Sequence, residues 1–75
     1  MSEPIVVTLN GSERHLTELG QQPTVAELIT SLGFRADRVA LERNGDIVPR
    51  AAWAETHLVT GDRIELVHFV GGGRS

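Results

Sequence analysis

Two asparagine–glycine pairs, Asn10-Gly11 and Asn44-Gly45, do most to restrict what this chain can fold into. Both residues of such a pair accept positive φ, which the two-residue turn of a twisted β-hairpin demands. The first pair follows Ile5-Val6-Val7-Thr8-Leu9, a short β-rich run with Ile5, Val7 and Leu9 on one face and Val6 and Thr8 on the other. Arg14 to Leu19 can return antiparallel, and its charge suits an edge strand. The second pair follows Arg38 to Arg43 and leads into Ile47-Val48-Pro49, a very short strand ended by a residue that cannot donate to a ladder.

Between the hairpins the periodicity changes from two to 3.6. Thr24 is placed to cap a helix, and Glu27, three residues on, completes a capping box that satisfies two orphan N–H groups. Val25, Leu28, Ile29 and Leu32 form one apolar stripe, and Gly33 suits the left-handed position that ends a helix. A helix of roughly three turns is too short to stand alone and needs a sheet to lie on. Arg50 to Glu55 predicts a single helical or 3₁₀ turn, with Trp53 and Leu58 closing one end of the core. After the Gly61-Asp62 turn, Arg63 to Val70 is the longest strand signal and belongs at the centre of the sheet. The order β-β-α-β-β-β predicts an α+β domain over residues 5–70. Its mixed sheet packs on one helix in two layers. First and last strands side by side and parallel at the centre would make this the β-grasp (ubiquitin-like) arrangement, a strand order that periodicity does not itself fix.

A chain of 75 residues supports one core and buries only about 60–65% of its unfolded surface. An enclosing pocket would take atoms from that core, so a surface or tail function is expected, and not an enzyme with a site of its own. The seven basic residues are all arginine and scattered, against ten acids. That balance argues against a nucleic-acid partner. The lack of cysteine removes disulfides, thiol catalysis and thiolate metal sites. His15, His57 and His68 match no metal spacing, and no catalytic triad can be assembled. No stretch approaches the roughly 18 apolar residues of a membrane span, so the expected location is the cytoplasm.

Gly71-Gly72-Gly73 directly after the long strand is the most informative feature for function. Ordered glycine gives up more backbone entropy than any other residue and adds no packing. One reading is a frayed terminus or linker. The other uses the missing side chains: residues 71–75 are a flexible tail whose glycines thread a channel too narrow for a Cβ. They would deliver the chain's own carboxylate to a reaction centre in a partner, where ATP activates it as an acyl-adenylate and a sulfur nucleophile converts it to a thiocarboxylate.

Two further stretches carry a family resemblance. Val39-Ala40-x-Glu42-x-Asn44-Gly45-x-Ile47-Val48-Pro49-Arg50-x-x-Trp53 and Leu58-x-x-Gly61-Asp62-x-Ile64-Glu65-Leu66-Val67-x-Phe69-Val70-Gly71-Gly72-Gly73 resemble the ThiS family, the sulfur carriers of thiamine thiazole biosynthesis. Ile5 to Gly11 and Val25 to Ile29 fit the same pattern less specifically. The resemblance implies a β-grasp fold and a reactive carboxylate at Gly73. It implies a ThiF-like adenylating enzyme that uses ATP, a sulfurtransferase or other sulfur donor, and the thiazole synthase ThiG as acceptor; no cofactor is expected on the carrier itself. Family chains usually stop at the glycines, whereas this one continues with Arg74-Ser75. Removal by a protease, a cloning remnant, or loss of carrier activity each accounts for the dipeptide. The alternatives in function are the related carrier of molybdopterin synthase and a ubiquitin-like modifier or binding module.

Alternation along the last strand assigns Ile64 and Leu66 to the core, and Val67 and Phe69 to the face open to water. Val6 is expected to join them from the neighbouring strand, with Glu65 and Arg50 as further partner contacts. The competing assignment folds Phe69 over an edge of the core.

Overall fold

The structure is a computed structural model, described here for residues 3–69. Five strands form one sheet: β1 (Val6–Leu9), β2 (Ser12–His15), β3 (Val39–Arg43), β4 (Asp46–Ile47) and β5 (Arg63–His68), in the spatial order β2-β1-β5-β3-β4. β1 and β5 are parallel neighbours, and the other pairings are antiparallel. The single α-helix, α1 (Val25–Ser31), lies on one face, and short 3₁₀ segments occupy Thr17–Leu19, Ala36–Arg38 and Arg50–Glu55. This is the expected β-grasp α+β architecture.

Local chemistry explains the boundaries. Thr24 Oγ1 accepts from the Glu27 amide at 3.1 Å while the Thr24 amide donates to Glu27 Oε1 at 2.9 Å, which is the predicted capping box. Val25, Leu28 and Ile29 are the buried face of α1. They pack on Val7 and Leu9 of β1, Leu41 of β3 and Ile64 of β5, with Leu58 and Trp53 at one end. The Trp53 indole N–H donates to the Val48 carbonyl at 2.8 Å, so the ring is buried without an orphan donor.

The return strand differs from the sequence expectation. It begins at Ser12, opposite Leu9, and ends at His15, not at Leu19. Asn10 and Gly11 take φ of 48° and 85° and make the whole turn, so pairing resumes at once. Leu16 then points into the core and Thr17–Leu19 coils as a 3₁₀ turn, which pulls the chain off the sheet edge. β5 stops at His68, although the Phe69 amide still donates to the Arg38 carbonyl at 2.7 Å.

Both turn asparagines also grip β5. Asn10 accepts the Leu66 amide on Oδ1 at 2.7 Å and donates from Nδ2 to the Leu66 carbonyl at 3.2 Å, extending the parallel ladder beyond the end of β1. Asn44 accepts the Arg63 amide on Oδ1 at 2.8 Å. Glycine at position 10 would keep the turn and lose the bracket. Asn10→Gly is therefore expected to lower stability by about 1–2 kcal/mol, for two lost hydrogen bonds. A urea melt against wild type checks this, and an unchanged midpoint would mean that the amide contributes nothing beyond turn geometry.

Candidate functional site

The antiparallel register of β3 and β5 sets which side chains share the face away from α1. Ala40 lies opposite Val67 and Glu42 opposite Glu65 on β5, while Glu42 also lies opposite Ile47 on β4. Among the described residues no helix covers this face. Ile47, Val67 and Phe69 are 69%, 57% and 52% exposed, which is unusual for large apolar groups on one small sheet. Phe69 is half exposed just beyond the end of β5, at a groove that the core residues Val39, Leu41 and Trp53 also line.

Phe69, Ile47 and Ala40 share a shallow groove of about 310 Å³ with Pro49, Arg50 and Trp53. Arg50 stands at the start of the 3₁₀ segment Arg50–Glu55 and is exposed. The structure thus brings Phe69 and Arg50 to one groove, and Val67 lies opposite Ala40 of its lining, with Glu65 on the same face of β5. That groove lies where β5 ends, ahead of the glycines in the sequence. Gly71, Gly72 and Gly73 lie outside the described residues.

Val6 does not join this cluster. β1 and β5 run in parallel with Thr8 opposite Arg63, and the Val6 carbonyl accepts from the Gly61 amide at 2.9 Å. Val6 therefore sits beside the beginning of β5, at the far end from Val67 and Phe69. Facial alternation places a residue on a side of the sheet, but only register places it along the strand. Ile47, Ala40 and Glu42 were missed for the same reason: their neighbourhood depends on a pairing between distant segments.

The sequence reading also missed Asp62, taken only as part of a turn. It is the buried charged residue among those described, 4% exposed. Its carboxylate accepts from Arg43 Nε at 2.9 Å, Asn44 Nδ2 at 3.0 Å and the Val59 amide at 2.9 Å. Burial alone would raise the pKa of this carboxyl. The hydrogen bonds from Val59, Arg43 and Asn44, together with the Arg43 charge, outweigh that and hold it below the usual carboxylate value. Asp62 ties the second hairpin turn to the start of β5, and so fixes the β3–β5 register that assembles the open face.

Among the described residues no cluster of three or more His, Asp or Glu could hold a metal, and no helix is long and apolar enough to cross a membrane. His68 stacks on Phe34 with ring centroids 4.9 Å apart, on the helix side of the sheet.

Fold and surface together define a small ubiquitin-like β-grasp protein with an uncovered apolar sheet face beside the strand that leads to its glycines. The ThiS family model matches residues 7–73, and the chain belongs to the ThiS family. The sulfur carrier protein ThiS of Bacillus subtilis is 40% identical over 50 residues, 67% of this chain and 76% of that protein. A thiazole synthase of Paramagnetospirillum magneticum is 39% identical over 67 residues, 89% of this chain. This chain spans only 20% of that synthase's length. The crystal structure of the thiamine biosynthesis protein ThiS from Geobacter metallireducens superposes with a TM-score of 0.75 at 31% identity, covering 92% of this chain and 100% of that one.

Proposed function

We propose that this chain is a sulfur carrier for thiamine thiazole biosynthesis that works through the carboxylate of Gly73. A glycine run that follows β5 in the sequence of a ThiS-family chain, where β5 itself borders an exposed apolar face, is the observation that carries this reading. In an ATP-dependent adenylating enzyme of the ThiF type, a Gly73 carboxylate oxygen attacks the α-phosphorus of ATP and pyrophosphate leaves. Hydrosulfide then attacks the acyl carbon and AMP leaves, giving the thiocarboxylate; where the donor is a sulfurtransferase persulfide, the acyl disulfide formed as AMP leaves is cleaved by a thiol, which is oxidised to a disulfide with the donor as the thiocarboxylate is released. The carrier supplies position and its own acyl group, and the partner enzyme supplies catalysis. The acceptor of the sulfur is thiazole synthase, a reading supported by the similarity to a segment of such synthases.

The reacting form is the chain ending at Gly73, with Arg74-Ser75 removed. Incubating that form with the adenylating enzyme, ATP and a sulfur donor is expected to exchange one oxygen for sulfur, read as the matching gain in intact mass. A chain whose mass does not change, with no adenylate trapped, would sink the carrier reading. An amide bond to a lysine of a target protein would instead mark a modifier.

A further inference from the structure

On the helix side of the sheet, cover fades along β5. Ile64 is buried, Leu66 is half-buried and His68 is exposed, although alternation puts all three on that side. The cause is the length of α1, which runs for seven residues, Val25–Ser31, or about 10 Å. Gly33 then takes a φ of 82° and turns the chain, and Phe34 reaches back to stack on His68. Phe34 and the first hairpin border a cavity of about 370 Å³.

The lining of this cavity is divided. Leu32, Leu66 and the Phe34 ring make an apolar wall, while Ser12, Arg14 and His68 carry hydrogen-bond donors. Asn10 also lines it, but its amide is committed to Leu66. Among the described residues no carboxylate lines the cavity, in a chain of net charge -3. Arg14 belongs to no ion pair among the described residues, even though it also borders a smaller recess with Glu18. A charged side chain on an edge strand discourages pairing with other molecules. That accounts for an arginine on β2, which is an edge strand, but not for an apolar, acid-free recess beside it.

We propose that this cavity binds a small phosphate monoester with a flat apolar body. Arg14, Ser12 and His68 hold the phosphate, and the body lies against Phe34, Leu32 and Leu66. A phosphate monoester brings about two negative charges and three acceptor oxygens near neutral pH. Those oxygens match a guanidinium fork, a hydroxyl and a ring N–H better than the two oxygens of a carboxylate do. The volume lies at the lower end of the roughly 300–1,000 Å³ range of small-molecule sites, enough for one ring and its phosphate. The site is on the opposite side of the sheet from the open face and does not depend on the carrier reading.

The test is an NMR titration of the full chain, following backbone amides, with phenyl phosphate as the probe. Inorganic phosphate and phenol serve as its two halves, and benzoate as a carboxylate of similar shape. Phenyl phosphate is expected to bind with a dissociation constant of about 1 mM or below, with shifts concentrated at Ser12, Arg14, Phe34, Leu66 and His68. Each half alone should bind about 10-fold more weakly or worse. R14Q should weaken phenyl phosphate about 10-fold, R14K should restore part of that as a point charge without the fork, and H68Q should cost about 3-fold. Both side chains are exposed, so the variants should keep the fold, which thermal melts check. Should a variant unfold, the comparison of probe and halves on wild type decides alone. No shifts up to about 10 mM probe overturn the proposal. So do shifts scattered over the other arginines, or inorganic phosphate that binds as tightly as phenyl phosphate. Folded R14Q that binds as wild type does overturns it too, and benzoate that binds as tightly would make this a carboxylate site instead.

Discussion

Proline in place of Gly72 is expected to leave the domain folded and to slow thiocarboxylate formation at Gly73 by on the order of 100-fold or more. Two separate arguments meet here. Gly72 has no side chain, so replacing it removes no side-chain packing from the core residues described, all of which lie at or before Leu66. Proline fixes φ near −65° and adds a ring to a backbone that, in the proposed carrier reaction, enters a partner's cleft with no side chain. Its neighbour's carboxylate must reach in-line geometry at phosphorus, and a displacement of about 1 Å costs about two orders of magnitude in rate. Gly72→Ala should fall between, since it adds one methyl group and leaves φ free. Rates of mass gain with the adenylating enzyme, ATP and sulfur donor check this, alongside melts of each variant. A proline variant that is activated as fast as wild type would show that the glycines are only a linker.

Removing the carboxylate of Asp62 should be the most destabilising single change away from the apolar core. Asp62→Ala leaves the Val59 amide, Asn44 Nδ2 and the Arg43 guanidinium without their acceptor, the last of them partly buried. Such losses sum to about 3 kcal/mol, against a total of roughly 5 kcal/mol for a domain of this size. Asp62→Asn keeps an acceptor and loses the charge, so it should cost less. Because the folded-state pKa of Asp62 is depressed, its contribution is complete above the unfolded-chain value of about 3.9 and is lost as pH falls through the lower folded value. Urea midpoints of wild type should therefore decline below about pH 4, and those of Asp62→Asn should decline less. Parallel acid profiles for the two chains would contradict this assignment.

Asn44 makes the boundary between sequence and structure concrete. Its tolerance of positive φ is a property of the residue, and it predicts the turn correctly, with φ of 55°. Its side chain, however, bonds Asp62 and Arg63, which arrive from 18 and 19 residues away. The same holds for Asn10, whose partner Leu66 is 56 residues distant. Turn, cap and stripe are decided within a few neighbours, so they can be read from the order of residues. Which backbone group a turn asparagine will grip cannot.

Two hairpins, a capped helix with one apolar stripe, the α+β order of elements, and the sides of the sheet on which Ile64 and Val67 stand were legible in the residues themselves. Each follows from short-range sterics or from the alternation of a pleated strand. Tertiary structure alone decided that Val6 lies at the far end from Val67, that Glu42 lies between Ile47 and Glu65, and that Asp62, besides closing its turn, is a buried anchor. These depend on register between strands far apart in the chain, and register is a collective choice of the packed sheet that no local stretch of residues encodes.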